Sequence, residues 1–273
     1  MRTATPGGFL ARKADAVRRR RQARDNGTDQ LLLERCRELP VAPSLAAALS
    51  GGDRIAVMAE YKRRSPSAGL LAPGEEATAV AAGYRSAGAV ALSVLTDGDD
   101  FGGALSDLEA VAAGEPEVPV LRKDFIVDAG QLFEARLAGA AAALLIVAML
   151  DAGELSSLLA AARVAGLECL VEVHTEQELE RAAAAGATMV GINNRDLRRL
   201  TTDIAVTERL APLAPAHAVV VSESGIRSAD DVRRVRDAGA HAVLVGEALL
   251  LAPRAVRPVR LRQLAGVLRR GTP

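Results

Sequence analysis

The sequence is poor in aromatic residues and carries no net charge, and each shortage excludes a class of partner. Aromatic residues make up 2% of the chain and tryptophan is absent, so exposed stacking platforms for nucleic-acid bases are not expected. Lysine plus arginine and aspartate plus glutamate both number 34, which gives a formal net charge of +0. No overall field attracts nucleic acid or an anionic membrane. Any anion site must therefore be local.

Cysteine and long apolar runs are also scarce. Cys36 and Cys169 are the two cysteines of the chain, and such a distant pair makes neither a disulfide framework nor a zinc site. We therefore expect a reducing, cytoplasmic environment. No apolar segment of the signal-peptide type follows Arg2. The longest apolar stretch, residues 138–150, is shorter than a membrane span, so no membrane partner is expected.

From residue 55 onward the chain alternates strand-like and helix-like segments. Four of the predicted strands are preceded by Ala-Gly-Ala, in which glycine suits the left-handed cap after a helix. Most of the strand segments lack strict polar alternation, as expected for parallel strands covered on both faces; they are residues 55–62, 89–95, 118–123, 142–148, 167–173, 188–193, 218–222 and 242–246. Eight β/α units predict an α/β fold, a closed (β/α)8 TIM barrel.

The first fifty residues have a different pattern. Residues 9–24 are basic and predicted to be helical, residues 25–27 give a turn signal, and residues 29–38 predict a second helix. We expect residues 1–45 to form an N-terminal helical extension packed on the barrel, and residues 46–273 to form the catalytic barrel. The four arginines at 18–21 could contact nucleic acid, but a solvated helix face is favoured because acidic residues balance the charge elsewhere. We expect a monomer without a nucleic-acid partner.

Polar side chains stand at the carboxyl ends of the predicted strands. Glu60 and Lys62 follow the first strand and point the same way, because side chains of a strand alternate between its faces. Later strands end in Lys123, Glu172 and Asn193. Parallel β/α enzymes place such groups around the active site.

Two glycines at the ends of the last strands favour a phosphorylated substrate. Gly225 follows strand seven, and Gly246 follows strand eight at the start of a short helical segment that begins with Glu247. Backbone N–H groups at these two loops hold phosphate in many barrels, and Lys62 lies near the same rim. The common nucleotide-binding fingerprints are absent. A small phosphorylated molecule is therefore the expected partner.

No metal site is expected from the sequence. The three histidines lie in different β/α units, without metal-ligand spacing. The segment Asp97-Gly98-Asp99-Asp100 allows two interpretations, a loop for a hard cation or an ordinary polar turn. The polar turn is favoured because a calcium loop needs further acidic ligands at set positions.

Five segments resemble the signature of the indole-3-glycerol-phosphate synthase family, in the order and spacing of that family. Glu60 and Lys62 lie in the first segment, and the five together are residues 59–67, 122–125, 170–174, 191–197 and 222–226. The resemblance runs from about residue 45 to residue 251. It implies a (β/α)8 barrel that closes the indole ring of 1-(2-carboxyphenylamino)-1-deoxyribulose 5-phosphate with loss of carbon dioxide and water. It also implies a reaction without a metal or an organic cofactor.

The resemblance implies a role for each matching residue. Lys123 is similar to the general acid that protonates the carbonyl oxygen, and Glu172 to the second acid–base group, which works with Asn193 in loss of the hydroxyl. Glu60 resembles a carboxylate that orients the lysines. Lys62 resembles a residue that contacts phosphate and takes part in acid catalysis.

The remaining matches concern substrate binding. They are Arg195 and Ser65 for the anthranilate carboxylate, Glu223 and Ser224 for the ribulose part, Gly225, Gly246 and the backbone of Glu247 for phosphate, and Phe101, Phe125, Leu144 and Leu197 for the aryl ring. Glu247 departs from family members that carry a small hydroxyl residue there. A carboxylate beside phosphate would repel it, so the Glu247 side chain is expected to point away.

Two alternatives remain open at this stage. The chain could be another phosphosugar barrel such as phosphoribosylanthranilate isomerase, but that reaction needs a Cys and Asp acid–base pair, and strand one ends without cysteine. It could also be an inactive barrel kept as a binding subunit. The intact set of Lys123, Glu172 and Asn193 argues against that interpretation.

Overall fold

A computed structural model describes residues 8–22, 26–196 and 201–269 of the chain. In these ranges the strands are, in chain order, β1 (Ala56–Tyr61), β2 (Arg64–Ser65), β3 (Gly69–Leu70), β4 (Ala91–Leu95), β5 (Val120–Lys123), β6 (Ala142–Ile146), β7 (Glu168–Val173), β8 (Met189–Asn193), β9 (Val219–Glu223) and β10 (Ala242–Val245). The helices of the same ranges are α1 (Gly8–Gln22), α2 (Asn26–Arg37), α3 (Leu45–Ser50), α4 (Ala77–Ser86), α5 (Gly98–Phe101), α6 (Leu105–Gly114), α7 (Ala129–Leu137), α8 (Ala152–Val164), α9 (Glu176–Ala184), α10 (Ala205–Leu210), α11 (Ala229–Asp237), α12 (Glu247–Leu250) and α13 (Arg257–Ala265).

Eight of the strands close into a parallel barrel, which confirms the predicted (β/α)8 architecture. The strand order around the barrel is β1-β10-β9-β8-β7-β6-β5-β4, and β1 completes the ring by pairing with both β10 and β4. The apolar residues of these strands are buried almost throughout. Fully burying a side chain such as Leu144 contributes about 1.5–3 kcal/mol relative to leaving it exposed, and strands covered on both faces need no polar alternation.

Local sequence signals explain where the helices begin and end. Asp151 accepts a hydrogen bond from the backbone N–H of Glu154 at the start of α8, and Ser228 accepts one from Asp231 at the start of α11. Such caps satisfy N–H groups that have no partner inside the helix. Gly88 and Gly239 follow α4 and α11 with φ of 105° and 110°, a conformation that glycine adopts at little cost.

The structure corrects several boundaries predicted from sequence. Asn26 and Gly27 are the first residues of α2 rather than part of a turn, and the other predicted turn residue, Asp25, lies outside the described residues. The fourth barrel strand stops at Ile146, where the 3-10 helix Val147–Met149 begins. The loop after β1 contains the unpredicted antiparallel pair β2–β3. The second 3-10 helix is Ala211–Leu213.

The helices of the extension lie against the barrel. In α1, Lys13 is 8% exposed and its ammonium lies 2.5 Å from Asp97 Oδ1 and 2.7 Å from Asp100 Oδ2. Asp97 caps α5, so the acidic segment is neither an open polar turn nor a free cation loop: it holds the ammonium of Lys13. Arg20 also pairs with Asp99, but Arg20 is 64% exposed and Arg19 is exposed as well, in agreement with the predicted solvated face; Arg18 contacts Glu154 of the barrel. The boundary between residues 45 and 46 stays a prediction.

Neither a membrane span nor a metal cluster is found in the part of the chain that the structure describes. None of its helices is both long and apolar enough to cross a membrane. No group of three or more His, Cys, Asp or Glu residues there is arranged to hold a metal ion.

Candidate active site

The carboxyl ends of β5, β7 and β9 bring one lysine between two glutamates. Lys123 Nζ lies 2.8 Å from Glu172 Oε2 and 3.1 Å from Glu223 Oε2. The Lys123 side chain is 12% exposed, and each glutamate side chain is 2% exposed. Because the three residues come from strands that are distant in sequence, only barrel closure brings them together.

Burial and charge shift the pKa values of this triad in different directions. Burial opposes the charged form of Lys123, but Glu172, Glu223 and Glu60 outweigh it and raise the pKa of the ammonium. Burial likewise opposes ionisation of Glu172, yet Lys123 and His174 outweigh it and lower the pKa of that carboxyl. Glu223 differs: its burial, reinforced by the charges of Glu172 and Glu60, exceeds the effect of Lys123 and raises its pKa to about 7. The Lys123 ammonium and the Glu172 carboxylate therefore stay charged at neutral pH, whereas the pKa of the Glu223 carboxyl is raised to about 7.

Close packing against two glycines fixes the acidic side chains. A side chain at Gly191 on β8 would overlap Glu223 Oε1, an oxygen that is buried without a hydrogen-bond partner. A Cβ at Gly246 would lie 2.6 Å from Glu60 Oε1. Glu60 also forms an ion pair with Lys62. Both glycines therefore make room for site carboxylates, a function that the sequence analysis had not given to Gly191.

A cavity of about 310 Å³ opens above the lysine and joins most of the predicted site residues. The predicted residues that line it are Glu60, Lys62, Phe101, Lys123, Asn193, Arg195, Glu223, Ser224, Gly225, Gly246 and Glu247. Glu172 does not line the cavity, but it contacts Lys123, which does. Its carboxylate also accepts a hydrogen bond from the Asn193 side chain. The cavity thus joins acid–base groups, an arginine and two glycine loops.

One end of the cavity offers backbone groups suited to an anion. Ser224 and Gly225 follow β9 with φ of 65° and 83°, and Ser224 is the one non-glycine residue with positive φ in the described ranges. A Cβ at Gly225 would lie 2.8 Å from Thr202 Cγ2. Gly246 precedes α12 at the neighbouring strand end. Successive N–H groups at such turns and helix starts favour phosphate.

Arg195 stands over the cavity but already has protein partners. Its guanidinium donates to Ser67 Oγ at 2.9 Å and to Glu247 Oε2 at 3.1 Å. The Glu247 carboxylate is thus directed at Arg195 rather than at the backbone of the Gly246 loop. A substrate carboxylate that binds Arg195 has to share the guanidinium with Glu247 or displace it.

Only some of the residues predicted to contact the aryl ring and the carboxylate of the substrate line the cavity. Phe101 lines the cavity, whereas Phe125 is buried beside it, with ring centroids 6.3 Å apart. Leu144 is buried in β6 outside the lining. Ser65 is also buried outside it, where it accepts a hydrogen bond from the Ala68 backbone N–H. Leu197 lies outside the described residues.

The sequence analysis also missed contributors from outside the strand ends. Phe9 of α1 stacks edge-on to Phe125 at 5.9 Å, which carries the extension to the aromatic side of the site. Arg260 of α13 lines the cavity, and its guanidinium donates to the Ala248 carbonyl at 2.8 Å. His174 contacts Glu172 from the side away from Lys123. A signal was available only for His174, which shares a strand face with Glu172 because it lies two residues further on.

Comparison with solved structures agrees on the fold. 3-Hexulose-6-phosphate synthase from Salmonella typhimurium matches with a TM-score of 0.62 at 18% identity, and the match covers 78% of this chain and 98% of that one. A mandelate oxidase variant matches with a TM-score of 0.60 at 22% identity over 88% of this chain and 82% of that one. At such identities the likeness concerns the barrel alone.

Comparison with sequence families is specific. The family model described as indole-3-glycerol phosphate synthase matches residues 8–260. A protein of that name from Opitutus terrae is 52% identical over 219 residues, which cover 78% of this chain and 82% of the relative. A relative of the same name from Streptomyces griseus is 50% identical and covers 80% of this chain and 81% of its own length. The chain therefore belongs to the indole-3-glycerol phosphate synthase family.

Proposed function

We propose that the chain catalyses the decarboxylating, dehydrating ring closure of 1-(2-carboxyphenylamino)-1-deoxyribulose 5-phosphate to indole-3-glycerol phosphate, in tryptophan biosynthesis. Family membership supports the reaction. The observation that carries it at the level of the site is Lys123, held 2.8 Å from Glu172 and 3.1 Å from Glu223 beside a cavity with glycine loops at one end. Such a cavity can hold a phosphate at one end and a reacting carbonyl at the lysine.

Positioning is the first task of this site. The substrate is flexible, and its aryl carbon has to meet the ketose carbonyl. Anchoring the phosphate at Gly225, Gly246 and the Glu247 backbone, with Lys62 near it, and the carboxylate at Arg195 fixes both ends of the chain. Holding the reacting atoms together in this way removes much of the entropic barrier.

Proton donation is the second task. Negative charge builds on the carbonyl oxygen as the aryl carbon attacks, and Lys123 supplies a proton there. Its raised pKa keeps the ammonium charged at neutral pH, and the developing alkoxide is more basic than an amine, so transfer is favourable at that moment. Glu60 helps to hold the two lysines in place, and Glu223 and Ser224 contact the ribulose hydroxyls.

Loss of carbon dioxide and water completes the reaction. The carboxylate leaves as neutral carbon dioxide and restores the aromatic ring. Glu172, with Asn193 beside it, then handles the protons that release the hydroxyl as water. That oxygen takes up two protons in all, and the methylene next to nitrogen returns one of them. Each turnover thus consumes one proton from solvent.

Turnover of the synthetic substrate, followed by indole fluorescence, tests the proposal. Product formation with one carbon dioxide released per indole is expected. Phosphoribosylanthranilate should not be isomerised. A folded chain that converts neither substrate would favour the inactive binding barrel, and isomerisation alone would favour the other phosphosugar enzyme.

We also propose that the chain acts as a cytoplasmic monomer whose partner is a small phosphorylated molecule and not nucleic acid. Both cysteines are free and buried, as suits a reducing compartment. Exposed large apolar side chains such as Val41, Leu70 and Leu213 lie in separate segments of the chain. Sedimentation of the purified chain tests the monomer: a dimer at micromolar concentration would contradict it.

A further inference from the structure

His174 lies directly after β7, between two carboxylates. Its Nε2 is 3.5 Å from Glu172 Oε1, and its Nδ1 is 3.3 Å from Glu178 Oε2. The same Glu178 oxygen accepts a hydrogen bond from the His174 backbone N–H at 2.7 Å. Glu178 thereby fixes the ring, and the ring points at the Glu172 oxygen that Lys123 does not use.

A neutral imidazole fits this position poorly. It carries one N–H, and donation to Glu178 leaves Nε2 as a bare acceptor facing a carboxylate; Nε2 is buried and has no hydrogen-bond partner. The imidazolium, with two N–H groups, suits both carboxylates. Burial lowers the pKa of His174, but Glu178, Glu172 and Glu223 outweigh it and raise the pKa.

Charged and polar groups of other elements also face this region. Lys123 and Asn193 flank Glu172 on one side. On the other side the charged groups are Arg195, Asp196, Asp203 and Arg209. Charges of both signs therefore surround His174, and its direct contacts are the two carboxylates.

His174 and Glu178 line a second cavity of about 510 Å³. Phe9, Leu10 and Ala11 of α1 form one of its walls, and Asn193 and Arg195 separate it from the substrate cavity. Glu172 is 2% exposed and His174 16% exposed. The histidine thus lies between the buried Glu172 carboxylate and the second cavity, whereas Lys123 lies between that carboxylate and the substrate cavity.

The proton balance of the reaction requires a route by which a proton reaches Glu172 from solvent. The lowered pKa of Glu172 means that the carboxyl carries no proton at neutral pH, yet release of the hydroxyl as water requires one. Substrate or product fills the first cavity during the reaction. A proton from solvent therefore needs another way in.

We propose that His174, oriented by Glu178, passes to Glu172 the proton that each turnover consumes, drawn from solvent through the second cavity. The Nε2–H bond breaks as an O–H bond forms at Glu172 Oε1, and imidazole regains its proton from water or a buffer acid. The separation of 3.5 Å has to close by a few tenths of an ångström, as catalytic contacts often do when substrate binds. The inference rests on the proposed function, and His174 acts through Glu172 rather than on the substrate.

The test is chemical rescue at position 174. His174→Ala should lower kcat by on the order of 10²-fold, the scale of general acid–base groups, with KM little changed. Millimolar imidazole should restore much of the rate, since it can enter the space left by the ring. His174→Gln fills that space and can still donate to Glu178 but carries no transferable proton. It should stay slow and should not respond to imidazole.

Each other result overturns the relay. A kcat for His174→Ala close to wild type would mean that the proton enters through the substrate cavity. Recovery in His174→Gln, or a slow His174→Ala that imidazole does not accelerate, would mean that the ring only positions Glu172. Exposed His217→Ala is the matched control. Circular dichroism checks the folding of every variant. Failure of the wild-type protein to make indole would refute the proposed function itself, which keeps the two failures apart.

Discussion

Two lysines of this chain are each surrounded by acidic residues, and they serve different ends. Lys13 of α1 contacts Asp97, Asp99 and Asp100, all from one short segment at the start of α5. Lys123 contacts Glu172 and Glu223, which come from two different strands.

The two clusters differ in whether all their polar atoms have hydrogen-bond partners within the protein. Asp97 accepts from Lys13 and caps α5 through the Asp100 backbone N–H, so its bonding capacity is used within the protein. In the second cluster Glu223 keeps one oxygen without a partner, and Lys123 faces a cavity. Burying polar groups without full compensation is costly, so such a cluster is expected where substrate supplies the missing partners. We therefore interpret the Lys13 cluster as a structural contact and propose the Lys123 cluster as the reactive one.

Replacing Lys123 should cause the largest loss of activity. Lys123→Met should lower kcat by at least about 10²-fold, because the carbonyl oxygen loses its proton donor while the fold persists. Indole fluorescence gives kcat, and circular dichroism gives the fold. Activity within a few-fold of wild type would refute the assignment of Lys123 as the acid.

Replacing Lys13 should instead cost stability. Lys13→Met leaves Asp97 buried without its cation, which should lower the free energy of unfolding by about 3 kcal/mol, the scale for breaking a buried pair from one side. Urea denaturation measures the loss. The double variant with Asp97→Asn should recover most of it, and a loss in Lys13→Met below about 1 kcal/mol, as for exposed ion pairs, would show that the cluster is merely a surface contact.

Gly246→Val tests whether Glu60 needs the space beside it. The new Cβ would lie 2.6 Å from Glu60 Oε1 and 2.9 Å from Glu60 Cβ. A displaced Glu60 and a blocked phosphate loop should raise KM by about tenfold or more, since displacements near 1 Å are costly in a positioned site. Gly83→Val is the matched control, because nothing lies within 4 Å of its Cβ. An unchanged KM in Gly246→Val would place the phosphate elsewhere.

The raised pKa of Glu223 should appear in the dependence of stability on pH. Its pKa rises from 4.5 to about 7 on folding, mainly through burial. The native state therefore binds more protons than the unfolded state, and this contribution to stability, complete below pH 4.5, is lost as pH rises to about 7. Glu223→Gln lacks this loss, so its stability relative to wild type should improve across that range. If the difference in unfolding free energy between Glu223→Gln and wild type is the same at all pH values, the raised pKa of Glu223 is contradicted.

Removal of divalent metals should have the smallest effect, namely none. Prolonged dialysis against EDTA should leave turnover unchanged, because the described residues contain no metal-binding cluster and Lys13 occupies the acidic segment of α5. A loss of turnover that Mg²⁺ or Zn²⁺ restores would contradict this and would make Asp97 to Asp100 a candidate ligand set again.

The barrel could be predicted because its signals are local. Apolar segments such as β6 and glycine-closed helices such as α11 can be recognised within ten residues of sequence. The position of the charged residues follows from the same pattern, since Glu172 and Lys123 lie at the carboxyl ends of strands, and in a parallel barrel these ends share one face. The eightfold repeat then places them at one rim.

The contacts that could not be predicted join residues with no common local pattern. Lys13 and Asp97 are 84 positions apart, and neither segment indicates its partner. The small sheet of β2 and β3 has two residues in each strand, too few for periodicity. In the sequence Gly191 has no feature that distinguishes it from other strand residues, and its role depends on the Glu223 side chain of the neighbouring strand, which packs against it. In each case spatial proximity, not spacing in the chain, decides the role.

The short helix α5 is held from two directions. Lys13 binds its first turn from the extension, and Arg64, two residues after Lys62, donates to the Gly98 carbonyl at 3.2 Å. A protease cut, a fusion tag or an insertion in α1 is therefore expected to displace Lys62, because α5 contacts both α1 and the segment that follows Lys62. For protein engineering, α1 is therefore expected to be a poor place for an inserted domain.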